Sequence, residues 1–192
     1  MKCLTHCTSF INALHILLEG KVKFGNIRHS NDKCEADLIK DDITSVTLYF
    51  FSLFIGTCDD IGSLMWLAYC GRTNGTSITF CFNDCTDFEE LFYKDADIFG
   101  FPIIYKDNDL EVIGDDCSLT GHVKNSKFEA EKEYRFLIEK SYTDEIGSIY
   151  KEINFGCLDK IVLCVGPDLA TICKKIFSGN NLVEVKVNDY IQ

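Results

Sequence analysis

SLMWLAYCGRTNGTSITF, Ser63 to Phe80, is the stretch whose reading decides the fold. It changes period part-way. Leu64, Leu67 and Ala68 fall at helical spacing, with Met65 and Tyr69 on a neighbouring face. Asp60 or Ser63 supplies an oxygen for the first-turn amides. Gly71 and Gly75 then open a tight loop, and Ser77 to Phe80 alternate as a half-buried strand does. The stretch therefore reads as helix, loop, strand. It holds the single Trp of the chain, Trp66, and one of its three arginines, Arg72. Trp66 and Tyr69 have two readings: core aromatics, or an aromatic platform beside a loop that approaches a ligand.

Outward from this stretch, the pattern stays mixed. Lys2 to Thr5 reads as a strand ending at His6. Thr8 or Ser9 caps a helix striped by Phe10, Leu14, Leu17 and Leu18, and Gly20 stops it. Val22 to Phe24 is a short strand. NIRHSNDKCEADL is a polar loop leading into a short helix near Glu35 to Lys40. Thr44 to Ile55 is almost continuously apolar and β-branched or aromatic, as a central strand is. Thr86 caps a brief helix over Asp87 to Tyr93. Ile98 to Tyr105 and Leu110 to Ile113 pair as a hairpin across KDND, and Gly114 to Ser126 is a loop. Phe128 to Glu139 starts charged and becomes a strand. Ser148 to Asn154 is a weak strand and Ile161 to Val165 a buried one. Pro167 opens a helix to Phe177, and Leu182 to Val187 is the last strand.

No regular strand–helix–strand rhythm emerges, so the class is α+β. At 192 residues, the expectation is one domain over 1–192, with twisted, mostly antiparallel sheets and short flanking helices.

The net charge of −11 argues against nucleic acid or an anionic membrane as partner, since both need a basic face. No apolar run is long enough to span a bilayer. The opening MKCLTHCTSF has no apolar core of a secretory signal. The reading is a cytoplasmic chain whose eleven cysteines are reduced thiols, many acting as small hydrophobes. Their spacing forms no paired C-x-x-C set, so no metal is expected. Phosphate-binding Gly-rich loops, G-x-S-x-G and H-E-x-x-H are absent from the sequence.

Three segments carry candidate chemistry. LTHCTSF puts His6 at a strand end before a helix cap, where free amides favour an anion. Arg28 lies among Asn31, Asp32 and Glu35, as a ligand contact or as a self-contained ion-pair turn. In FEAEKEYRFLIE, an extended backbone projects Glu131, Glu133 and Arg135 from one face. These are either a solvated face or a catalytic carboxylate oriented by its neighbours. As an alternative, Asp59, Asp60, Asp115 and Asp116 are candidate ligands for a nuclease metal, although paired Asp in loops are commonly turn formers.

Taken in order, six segments resemble the bacterial domain-of-unknown-function family 2971, which includes AbiGi-like abortive-phage-resistance proteins. They are His6-Cys7-Thr8-Ser9, the helix to Gly20, Asn26-Ile27 with Asn31-Asp32 and Glu35, Leu64 to Phe80, Glu131 to Arg135, and Ile161 to Gly166. Cys7 stands where an aromatic is usual, and Phe128 where Trp is common. That pattern in turn looks like the ADP-ribosyltransferase plan, which implies such a fold and NAD as a substrate without a metal. By that resemblance His6 and Thr8 hold the adenosine-side ribose, and Tyr69 or Trp66 stacks on nicotinamide. Glu131 or Glu133 stabilises the oxocarbenium-like charge, and Arg28, Arg72 or Arg135 meets the pyrophosphate. The implied setting is anti-phage defence or a toxin–antitoxin pair, with a small-molecule nucleotide and a protein target or partner. A non-catalytic binding or regulatory module of the same family is the alternative.

Overall fold

The computed structural model describes residues 2–29, 46–61, 66–70, 75–107, 122–141 and 147–188. Its centre is strand β1 (Lys2–Ser9), which lies antiparallel to β4 (Gly75–Phe82) over its whole length, from Lys2↔Phe82 to Ser9↔Gly75. Beyond β4 come β10 (Leu158–Val165), antiparallel, and β11 (Val183–Val187), parallel to β10. On the other side of β1 stands β3 (Val46–Ile55). This long apolar strand is central, as its composition requires: it also pairs with β2 (Lys21–Asn26) and β8 (Glu133–Ser141). β9 (Ser148–Glu152) extends the sheet from β2, and β5 (Ile98–Pro102) from β8. A small parallel pair joins β6 (Ile104–Lys106) to β7 (Val123–Asn125). The α+β class and the mostly antiparallel pairing are as the sequence implies.

The sheet forks. β1 follows β3 only at Leu4↔Ile55 and Thr5↔Phe54, and β2 meets the same edge of β3 only at Gly25↔Phe50 and Asn26↔Tyr49. Between these contacts His6 reaches across, its Nδ1 3.0 Å from the Ser52 carbonyl oxygen. Since a carbonyl only accepts, Nδ1 carries the proton.

Strand alternation separates two faces. On the first, Leu4, Ile78, Phe80, Phe82, Leu53, Phe136, Leu163 and Val165 belong to the main core. Helix α1 (Phe10–Glu19) covers part of it with Ala13, Ile16 and Leu17. Ser9 Oγ accepts from the Asn12 amide, and Gly20, at φ 68°, donates its N–H to the Ile16 carbonyl; both caps are as read from the sequence. Helix α2 (Pro167–Ile176) packs Ala170 and Cys173 into the same core. The second face is more polar. Cys3, Thr5 and Cys7 lie opposite Cys81, Thr79 and Ser77, and Cys164 lies beyond Ser77. A small second core of Cys58, Trp66, Cys70 and Cys164 covers it.

Several expectations change. Trp66–Cys70 is a single π-helical turn. Phe88–Phe92 is a 3-10 turn following Asp87. Val123–Asn125, expected in a loop, is a strand, because β6 needs a partner and finds it there. The helix over 35–40 and the strand over 110–113 lie outside the described residues. Among the described residues no helix is long and apolar enough to cross a membrane.

Candidate functional site

Glu131 does not lie on a strand. Ser126–Glu131 is a 3-10 turn, and Lys132, at φ 45°, reverses the chain before β8 starts at Glu133. The turn brings Glu131 beside Glu133 by a tighter route than strand alternation. Both carboxylates are buried, at 6% and 4% exposure. Lys124, the middle residue of β7, places its Nζ 2.8 Å from Glu131 Oε2 and 2.8 Å from Glu133 Oε2.

Glu133 is held tightly. Arg135 on the same strand face donates Nε to Oε1 at 2.5 Å and Nη2 to Oε2 at 3.1 Å. Ser52, facing it from β3, donates Oγ to Oε1 at 2.5 Å. The Glu133 amide donates to the Tyr105 hydroxyl at 2.9 Å. The Arg135 guanidinium lies 5.1 Å from the centre of the Phe50 ring. Burial raises the Glu133 pKa, but the charges and hydrogen bonds of Arg135 and Lys124 outweigh that and hold it below the usual carboxylate range. For Lys124, burial disfavours the cation, and the paired carboxylates outweigh it to hold the pKa above the ordinary value.

Glu131 has a different neighbourhood. Its Oε1 accepts from the Tyr69 hydroxyl, and its Oε2 meets Lys124. Tyr69 comes from the π-helical turn, is 44% exposed, and leans edge-on against Phe54 with ring centres 5.3 Å apart. Burial and then the Glu131 hydrogen bond push its phenol pKa above the ordinary value. The structure therefore brings together Glu131, Glu133, Arg135 and Tyr69 from the sequence reading.

It separates others from them. Trp66 is 2% exposed and packs in the cysteine-rich second core, as the core reading has it. His6 and Thr8 are on the opposite face of the sheet from Glu133 and Arg135, as the registers Leu4↔Ile55, Thr5↔Phe54 and Phe54↔Glu133 require. The expectation that they share one ligand with the glutamates is corrected accordingly. The His6 ring packs on Phe51 at 4.5 Å. Burial lowers its pKa to about 4, partly offset by the Ser52 carbonyl. Arg28 sits in a 3-10 turn, Ile27–His29, away from this cluster in the chain, with its amide donating to Asn26 Oδ1 at 2.9 Å. Arg72 lies outside the described residues.

The nuclease residues are engaged otherwise. Asp60 Oδ2 accepts from the Thr57 amide at 2.7 Å, and Asp59 pairs with Lys186. Asp115 and Asp116 lie outside the described residues. Among the described residues, no group of three or more His, Cys, Asp or Glu is arranged to hold a metal ion.

The sequence reading missed Lys124, Ser52 and Tyr105. Lys124 lay in a presumed loop, and its only local signal is its place seven positions before Glu131. Ser52 carried one: a small hydroxyl side chain in the middle of the apolar run FFSLF asks for a partner in the sheet. Cys7 and Cys70, read as reduced thiols, are joined as a disulfide.

Comparisons with protein-family models, curated proteins and solved structures find no match to the chain.

Proposed function

We propose that this chain binds NAD and breaks its nicotinamide glycosidic bond, passing ADP-ribose to a protein or nucleotide acceptor or to water. The observation that carries this reading is the unequal support of the two glutamates. Glu133 is fully engaged by Arg135, Ser52 and Lys124, while Glu131 is closed off from solvent by the half-exposed Tyr69. Glu131 is thus the carboxylate that a substrate reaches by displacing one side chain.

In this mechanism the Glu131 carboxylate accepts from a hydroxyl of the nicotinamide ribose. It stabilises positive charge that develops on that ribose as the carbon–nitrogen bond lengthens. Both carboxylates are buried, so a fixed charge there acts more strongly than in water. Lys124 pairs with Glu131, and the Glu133–Arg135 pair fixes the start of β8. Displaced Tyr69 becomes a face for the nicotinamide ring. Arg72, two positions beyond Cys70 in the sequence, remains the candidate cation for the pyrophosphate. The ordered motifs that resemble family 2971 support a setting in bacterial anti-phage defence.

A second reading, a non-catalytic binding or regulatory module of the same family, is favoured by one observation. Every oxygen of both glutamates already has a partner within the protein. Nicotinamide release from NAD by wild type and by Glu131→Gln separates the two. Turnover lost in the variant supports catalysis, and absence of turnover in both supports the module.

A further inference from the structure

The π-helical turn that carries Tyr69 ends on Cys70, and Cys70 is bonded to Cys7 on β1, 63 positions earlier, with Cα atoms 4.9 Å apart. β1 is held by β4 along its whole length, so Cys7 is a fixed point. Tyr69 is the residue next to the bond, and its hydroxyl occupies Glu131. Apart from that hydrogen bond, the ring is placed by its edge contact with Phe54 and is 44% exposed. Cys70 is 4% exposed and Cys7 is partly buried, so Cys7 is the less enclosed residue of the pair.

We propose that the Cys7–Cys70 disulfide is a thiol-reducible tether that keeps the Tyr69 hydroxyl on Glu131, and that its reduction frees Glu131 for substrate. The second half of this statement rests on the NAD reading above; the first half does not. The reductant is a small thiol of the glutathione class. Its thiolate attacks Cys7 Sγ, the Cys7–Cys70 bond breaks, and Cys70 leaves as a thiolate that takes a proton from solvent. A second thiolate then attacks the glutathione sulfur of the mixed disulfide, releasing Cys7 and glutathione disulfide. Two electrons pass from two glutathione molecules to the two cysteines. Once cut, the turn keeps Trp66 in the core as its anchor, and the Tyr69 end is free to swing.

The test compares the full chain, oxidised and glutathione-reduced, by amide hydrogen exchange and by mapping of disulfide-linked peptides. In the oxidised protein, Cys7 and Cys70 peptides are linked. On reduction, exchange over Trp66–Cys70 rises by about tenfold or more, while β4 and β10 keep their protection. Cys70→Ser gives the fast exchange in both conditions. The idea is overturned if Cys70 is found linked to Cys58 rather than to Cys7, if no linkage forms under glutathione disulfide, or if exchange over this turn is the same in both states. Should Cys70→Ser fail to fold, the wild-type comparison still decides. Nicotinamide release is read on the same two samples. A rise on reduction supports the whole proposal. Release absent from both, with the exchange change present, sinks the NAD reading and leaves the tether standing.

Discussion

Glu131 and Glu133 share one ammonium group: Lys124 Nζ stands 2.8 Å from an oxygen of each. Two buried carboxylates side by side repel, and Lys124 with Arg135 offsets that repulsion. The arrangement costs desolvation of four charges and returns it only while all partners are present. Lys124→Met leaves both glutamates without their common cation. Denaturant unfolding should show a loss of about 3 to 5 kcal/mol.

The two glutamates differ in what they support. Glu133→Gln leaves Arg135 as a buried cation without its carboxylate, and the expected cost is again about 3 kcal/mol or more in a urea titration. Glu131→Gln keeps one amide oxygen, which can serve Tyr69 or Lys124 but not both; because Lys124 and Arg135 still have Glu133, the variant is less destabilised than Glu133→Gln. Its effect falls on nicotinamide release, lowered on the order of a hundredfold or more. Equal effects of both variants on stability and release would contradict the division of roles.

His6 gives a pH signature. Its folded pKa is lowered to about 4 from 6.5, so the unfolded chain binds the proton more readily between those values. Stability is therefore full above pH 6.5 and declines as pH falls toward 4, by on the order of 2 to 3 kcal/mol. Protonation would charge a ring that packs on Phe51 at the sheet fork. His6→Gln should flatten that window in urea titrations at stepped pH. Glu133, held below the ordinary carboxylate value, contributes a separate loss at lower pH, as pH falls through its folded pKa.

Gly100 on β5 tests the packing of the first face. A Cβ there would stand 2.7 Å from the Tyr134 hydroxyl and 2.9 Å from a Phe136 ring carbon. Phe136 is fully buried and lies in the ring contacts with Phe92 and Tyr134, so it has little room to yield. Gly100→Ala should lower stability by about 1 to 3 kcal/mol, read as a shift in denaturant midpoint.

The local elements were legible because local rules decide them. Ser9 and Gly20 mark both ends of α1, and the apolar run ending at Ile55 reads as a central strand; Val46–Ile55 is paired along both edges, with one face buried and the other half-buried. The site was half legible. Glu133 and Arg135 follow from strand alternation. Glu131 reaches the same cluster because Lys132 adopts a left-handed backbone, which no periodicity reports. The Lys124 and Ser52 contacts join residues from different strands and depend on the fork and its registers. The bond between Cys7 and Cys70 likewise needs the turn over Trp66 folded back onto β1. The sequence reading grouped His6 with the glutamates by motif order, whereas the pairing of β1 with β3 sets their side chains on opposite faces.

The central claim is that Glu131 is a catalytic carboxylate gated by Tyr69. It is tested most directly by nicotinamide release from millimolar NAD, using glutathione-reduced wild type and Glu131→Gln. The account predicts release by wild type and its near-complete loss in the variant while the variant remains folded. Release that persists undiminished in Glu131→Gln, or its absence from wild type in both redox states, would contradict it.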